Sequence, residues 1–345
     1  MKEKLLVGTD VEFGLYNTKR KNSTDSWLVS TNEVGIDGWQ GEIRPKPEKN
    51  GLKLARNIYK LMKDALLKLN QTVDDEEKRE NLIIIGGNNA KGVLDNNSYI
   101  KPTVRNFPLG GHIHVSYKNE TTCINSVPFS MYDAYILDAM LLIITLMNSS
   151  YQGLCDRQIY KYGCKLQVYT KSVNNGWYEL RSMASQLNML EMLPIFYEFS
   201  ALFTRALYKH HMHKKPFFIP RLCKNIKKPV LHDYGNILDF QDDFTIADLN
   251  LDTQRIKEQS EWKTLQKELH TYFNKWIYMN EKIPHLKKLI KYAKLIMQYT
   301  MLPVGFDDIP FNSRKEQLDK LNELLKVTKT RKGYNQYINE YLNSI

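Results

Sequence analysis

The sequence predicts an α+β protein in which strands and long helices share the first two thirds and helices make up the last third. Three observations predict it. Short polar–apolar–polar segments bounded by Gly and Pro alternate with long segments of helical period up to about residue 190. A basic, proline-punctuated stretch, KKPFFIPRLCKNIKKP, then breaks the pattern. After about residue 245 most of the chain reads as lysine-rich amphipathic helices. The chain therefore divides into residues 1–215, which carry the mixed pattern, and 216–345, a basic connector with a helical C-terminal extension.

KLLVGTDVEFGLY and GWQGEIRP read as strands, the second stopped by Pro45 and Pro47, which cannot donate to a ladder. Asn50 caps a helix in which Leu54, Ile58, Leu61, Met62, Ala65, Leu66 and Leu69 recur at helical spacing. NLIIIGG is a short buried strand ending in a turn, and GGHIHV is a further strand. Ser130 and Asp133 form a capping-box pattern before MYDAYILDAMLLIITLM, which is apolar nearly all round and belongs in the middle of the domain. GWYELRSMAS returns to strand, and Pro194 opens the helix IFYEFSALFTRALYKHHM. Beyond the connector, EWKTLQKELHTYFNKWIYMNEK and EQLDKLNELLKVTK are helices.

Composition bounds the function. With 345 residues, 42% hydrophobic and 25% charged, the chain can build a sizeable core. Its net charge of +11 attracts polyanions, whether nucleic acid, nucleotide phosphates or an acidic substrate. Cys123, Cys155, Cys164 and Cys223 form no C-x-x-C pair, which points to free thiols in a reducing compartment such as the cytoplasm. The run AMLLIITLMNSS falls short of the ~18–20 apolar residues that cross a bilayer, so no membrane partner is expected.

Four strands repeat one pattern. Asp10-Val11-Glu12, Glu42-Ile43-Arg44, His112-Ile113-His114 and Glu179-Leu180-Arg181 each place two polar side chains on one face and an apolar one on the other. The polar members come only from Asp, Glu, His and Arg. If the strands share a sheet, four carboxylates converge, and like charges that close destabilise the fold unless a cation answers them. Mg²⁺ and Mn²⁺ prefer carboxylate oxygens with an occasional imidazole, whereas Zn²⁺ would ask for more His or Cys. Arg44 and Arg181 suit a bidentate grip on phosphate or carboxylate. Metal-held carboxylates beside arginines are the equipment of phosphoryl transfer from ATP. Gly110 and Gly111 permit close approach just before the histidines.

Other features weigh less. His210, His211 and His213 end a helix beside lysines, where imidazoles favour the negative end of the dipole. Cys155, beside Asp156 and Arg157, has no histidine near it in sequence. The C-terminal lysines read as a solvated face. The carboxylate–histidine set also suits a metal-dependent nuclease or phosphoesterase, and the fold could persist in a non-catalytic structural or binding protein.

In order, GTDVEFGL, GWQGEIRP, GGHIHV and GWYELRSMAS resemble the motifs of the carboxylate–amine (COOH–NH2) ligase superfamily, which includes glutamine synthetase and glutamate–cysteine ligase. The likeness is greatest to the phage-encoded type 2 amidoligases and covers roughly residues 1–200. It implies a curved antiparallel sheet, a half-funnel covered by helices, that holds ATP and Mg²⁺ or Mn²⁺. It also implies transfer of the terminal phosphate to a carboxylate donor, followed by attack of an amine acceptor, peptide or protein among the possible substrates. Glu12, Glu42, His112 and Glu179 would ligate metal, with Asp10 close by. His114, Arg157 and Lys171 would lie toward the nucleotide, and Arg181, Arg44 and Arg105 would steady the phosphoryl group. Tyr169 and Lys171 stand where relatives carry a Tyr-Arg pair.

Overall fold

The computed structural model describes residues 4–20, 22–23, 31–37, 40–87, 109–118, 131–150, 167–169, 177–219, 237–239, 258–302, 305 and 308–344. The first elements are β1 (Lys4–Asn17), β2 (Asn22–Ser23), β3 (Val34–Asp37), β4 (Gln40–Ile43), α1 (Gly51–Thr72), α2 (Glu76–Glu80) and β5 (Leu82–Ile85). Then come β6 (Gly111–Lys118), α3 (Met131–Asn148), β7 (Gln167–Tyr169), β8 (Trp177–Leu180) and α4 (Leu193–His213). The chain closes with β9 (Ile237–Asp239), α5 (Gln259–Glu281), α6 (Lys287–Thr300), α7 (Arg314–Val327) and α8 (Arg331–Ser344).

The strands form one sheet in the order β3-β4-β1-β6-β8-β7-β9, with β2 and β5 also paired to β1. Every pairing is antiparallel. This is the α+β architecture the sequence predicts, with helices over the sheet and a helical C-terminal region. β9 is an addition: residues 237–239, between the connector and the helices, contribute a strand to the sheet edge, and three residues are too few for a period-2 signal.

Period-2 alternation separates the two faces. Val11, Phe13, Ile43, Ile113, Val115 and Leu180 are all buried on one of them. α4 packs on β1 and β6, α3 packs on β7 and β8, and α1 packs along α4. α3 is buried throughout Asp133–Ser149, as its all-round apolar sequence requires. The side chain of Asn50 accepts from the Lys53 N–H at 3.0 Å, so it caps α1 as its sequence position suggests. Ser130 lies outside the described residues.

The C-terminal helices join the same core. Trp262, Leu265, Leu269, Phe273 and Trp276 follow the i, i+3, i+4 rhythm and are buried, each contributing about 1.5–3 kcal/mol by removal from water. α5 lies against α3 and α6, α6 against α4, and α7 against α1 and β5. Gln317 on α7 accepts from the Ile84 N–H at 2.9 Å and donates to the Ile84 carbonyl at 2.7 Å. Its amide thus completes the ladder of β5 as a neighbouring strand would. Glu198 on α4 accepts from the Gly51 N–H at 2.7 Å and pairs with Lys288 and Arg331, each at 2.8 Å. Among the described residues, no helix is long and apolar enough to cross a membrane.

Candidate metal centre

Register assembles the site. Asp10 lies opposite His112 across β1–β6, Glu12 opposite Glu42 across β1–β4, and His114 opposite Glu179 across β6–β8. These side chains share the face turned away from Val11, Ile113 and Leu180. A one-residue slip of any strand would send its members into the core.

His112 is the hub. Its Nδ1 lies 3.2 Å from Asp10 Oδ1 and 3.2 Å from Glu179 Oε1, and its Nε2 faces Glu12 Oε1 at 3.8 Å. Asp10, His112 and Glu179 each offer one ligand atom, and these atoms lie within 4.8 Å of one another. Glu12, Glu42, His112 and Glu179 are all buried. Glu12 also accepts from the Gly110 N–H, which ties its carboxylate to the residue just before β6. Arg44 and Arg181, each one residue past the end of its strand, pair with Glu42 and Glu179, the latter contact at 3.4 Å.

Burial pushes the Asp10 carboxyl up, but the contacts and charges of His112 and His114 outweigh it and hold the group well below the usual carboxylate range. Glu12 goes the other way. Burial raises it, and the opposing pull of His112, the Gly110 N–H and Arg181 does not offset the penalty. Two carboxylates two residues apart thus differ in character because one has both imidazoles and the other has mostly desolvation.

A divalent ion fits this donor set. Asp10 Oδ1 and His114 Nε2 lie 3.0 Å apart, yet both are buried without a hydrogen bond among the described residues. Orphaned oxygen and nitrogen donors facing one point are what a cation satisfies. Four carboxylates against two guanidiniums leave excess negative charge when the imidazoles are neutral, and a dication offsets it. The oxygen-rich set with imidazole suits Mg²⁺ or Mn²⁺.

Behind the site runs Arg181–Asn188, RSMASQLN. The sequence predicts strand through Ser185, but β8 stops at Leu180 because the next side chains are committed to anchoring. Ser182 is held by Asp138 through its N–H at 3.1 Å and its hydroxyl at 2.5 Å. Ser185 donates to the Glu12 carbonyl at 2.6 Å, and Gln186 to the Gly111 carbonyl at 3.1 Å. Ser185 and Gln186 were invisible as site supports in sequence. Their only signal was a polar run where a buried strand should be apolar. Trp177 was also missed. It precedes Glu179 by two residues on the same face, and its ring meets His114 edge-on at 5.2 Å and Tyr169 at 6.0 Å.

The remaining sequence candidates fall elsewhere. Arg105, Arg157, Lys171 and the four cysteines lie outside the described residues. His211 bonds Asp133 at 2.7 Å and His210 contacts the Lys215 carbonyl at 3.0 Å, so the histidines at the end of α4 serve separate partners.

No family model and no curated protein matches the chain. Among solved structures, the chain is similar to a bifunctional glutathione synthetase from Pasteurella multocida, with 9% identity and a TM-score of 0.41. The alignment covers 99% of this chain and 52% of that one, so the chain spans about half the length of that enzyme.

Proposed function

We propose that this protein is a divalent-metal-dependent ligase that uses ATP to join a carboxylate to an amine. The observation that carries the reading is the convergence of Asp10, His112 and Glu179 with Arg181 beside them. The four ordered sequence motifs supply the choice among metal-dependent chemistries.

Asp10, His112 and Glu179 would hold the ion, with Glu12 and Glu42 on the neighbouring strands. When bound, the ion supplies charge neutralisation for phosphoryl transfer. Arg44, exposed, and Arg181, a quarter exposed, are positioned to leave their carboxylates and grip phosphate oxygens. A carboxylate is a poor acyl donor because oxide would have to leave. Transfer of the terminal phosphoryl group from ATP to a carboxylate oxygen gives an acyl phosphate and ADP. A neutral amine then attacks the acyl carbon, phosphate departs, and the amine proton goes to a base. Trp177 borders the centre through its edge contact with His114 and packs edge-on against Tyr169.

The test is a coupled assay for ADP release with ATP, Mg²⁺ and a mixture of amino acids and peptides, followed by mass analysis for a new amide. ADP release that depends on an amine and vanishes in Glu179→Gln supports the reading. Cleavage of DNA, RNA or phosphoesters without ATP would replace it with hydrolysis.

A further inference from the structure

The helical C-terminal region carries a surface that the proposed ligase chemistry does not use. α5 and α6 border a groove of about 600 Å³ whose walls include Lys282, Lys287, Lys291 and Lys294. Its one acidic wall residue, Glu281, pairs with Lys294 at 2.8 Å. Among the described residues, no carboxylate lies within ion-pair distance of Lys282, Lys287 or Lys291. Lys287, Lys291 and Lys294 follow the i, i+4, i+7 spacing, so they form a row roughly 10 Å long on one helix face.

An aromatic ring stands one helical turn before Lys282 on α5, outside the groove walls. Tyr278 is 64% exposed, and the Lys282 ammonium lies 6.0 Å from its ring centroid. The apolar face of α5 is filled by Trp262, Phe273 and Trp276, so the Tyr278 ring lies outside the core. Lysines spaced along a groove bind a chain of phosphates, and a ring beside the end of the groove stacks on a base.

We propose that the α5–α6 groove binds single-stranded nucleic acid, with Lys282, Lys287 and Lys291 on successive phosphates and Tyr278 stacked on a base. The charge of the groove and the exposed ring select this occupant over an acidic peptide, which would use the lysines and leave the ring idle. The surface is separate from the metal centre, so the two readings stand or fall independently.

Fluorescence anisotropy of the full chain with labelled single-stranded 20-mers, one DNA and one RNA, tests it. Wild-type affinity should fall with salt, with a slope of log K against log salt of about −2 for three phosphate contacts. Lys282→Gln/Lys287→Gln/Lys291→Gln should flatten that slope and weaken binding at least tenfold. A charge-matched control at the exposed Lys53, Lys60 and Lys315 should not. Tyr278→Ala should cost roughly fivefold or more at constant salt slope. Equal affinity in the groove variant and the control would overturn the proposal. So would groove-dependent binding to polyglutamate or anionic vesicles that matches or exceeds binding to the 20-mers.

Discussion

His112 faces Asp10 directly across the β1–β6 pair, and the same ring nitrogen lies 3.2 Å from both Asp10 and Glu179. One imidazole nitrogen therefore gathers carboxylates from the strands on either side of its own. Removing one of those carboxylates should weaken a bound ion without disturbing the sheet. Glu179→Gln is expected to lower Mn²⁺ affinity at least roughly tenfold, read by calorimetry, and to abolish any metal-induced rise in Tm. Unchanged affinity would place the ion elsewhere.

The paired glycines before His112 are required by close approach. A Cβ on Gly110 would strike the His112 ring, and one on Gly111 would strike the Ala184 carbonyl and the Gln186 amide. Gly111→Ala is expected to destabilise the protein by about 1–3 kcal/mol and to weaken metal binding through displacement of β6. Urea denaturation and Mn²⁺ titration on the same preparation check both effects.

Glu198 links α1, α6 and α8, and its folded-state pKa is lowered. Burial pushes it up, but the hydrogen bond from Lys288 and the charges of Arg331 and Lys288 prevail. A depressed carboxyl contributes stability that is fully present above the ordinary glutamate value of 4.5 and is lost as pH falls through the lower folded value. Glu198→Gln should cost about 2 kcal/mol at pH 7 and leave a shallower decline in stability between pH 5 and 3. Parallel denaturation curves over that range are the measurement.

Gln317→Ala should strand both the N–H and the carbonyl of Ile84, which are otherwise satisfied by one amide. Two buried unsatisfied groups cost roughly 2–6 kcal/mol. Hydrogen exchange should show β5 amides opening well before those of β6.

Much of this was legible because the alternation carries it. The apolar partners Val11, Ile43, Ile113 and Leu180 fix which way each strand faces, so the polar set follows by parity alone. The helices α1 and α4 announce themselves by period and by Asn50 and Pro194, and α3 by its long apolar run. What stayed hidden depends on contacts far apart in sequence. Nothing local to Ser185 says that its hydroxyl will reach Glu12, and nothing in α7 says that Gln317 will imitate a strand. The three-residue β9 is too short for any periodicity to mark it.

The bond from Ser185 to Glu12 spans 173 residues of chain. The Glu12 carboxylate of β1 is made 173 residues ahead of the hydroxyl that clamps its backbone. Such long-range closure slows folding, because the entropy of a large loop is lost before any contact rewards it. The centre therefore closes only after the intervening chain has been made, and conditions that shelter a nascent chain should raise the yield of competent protein more than they raise total protein.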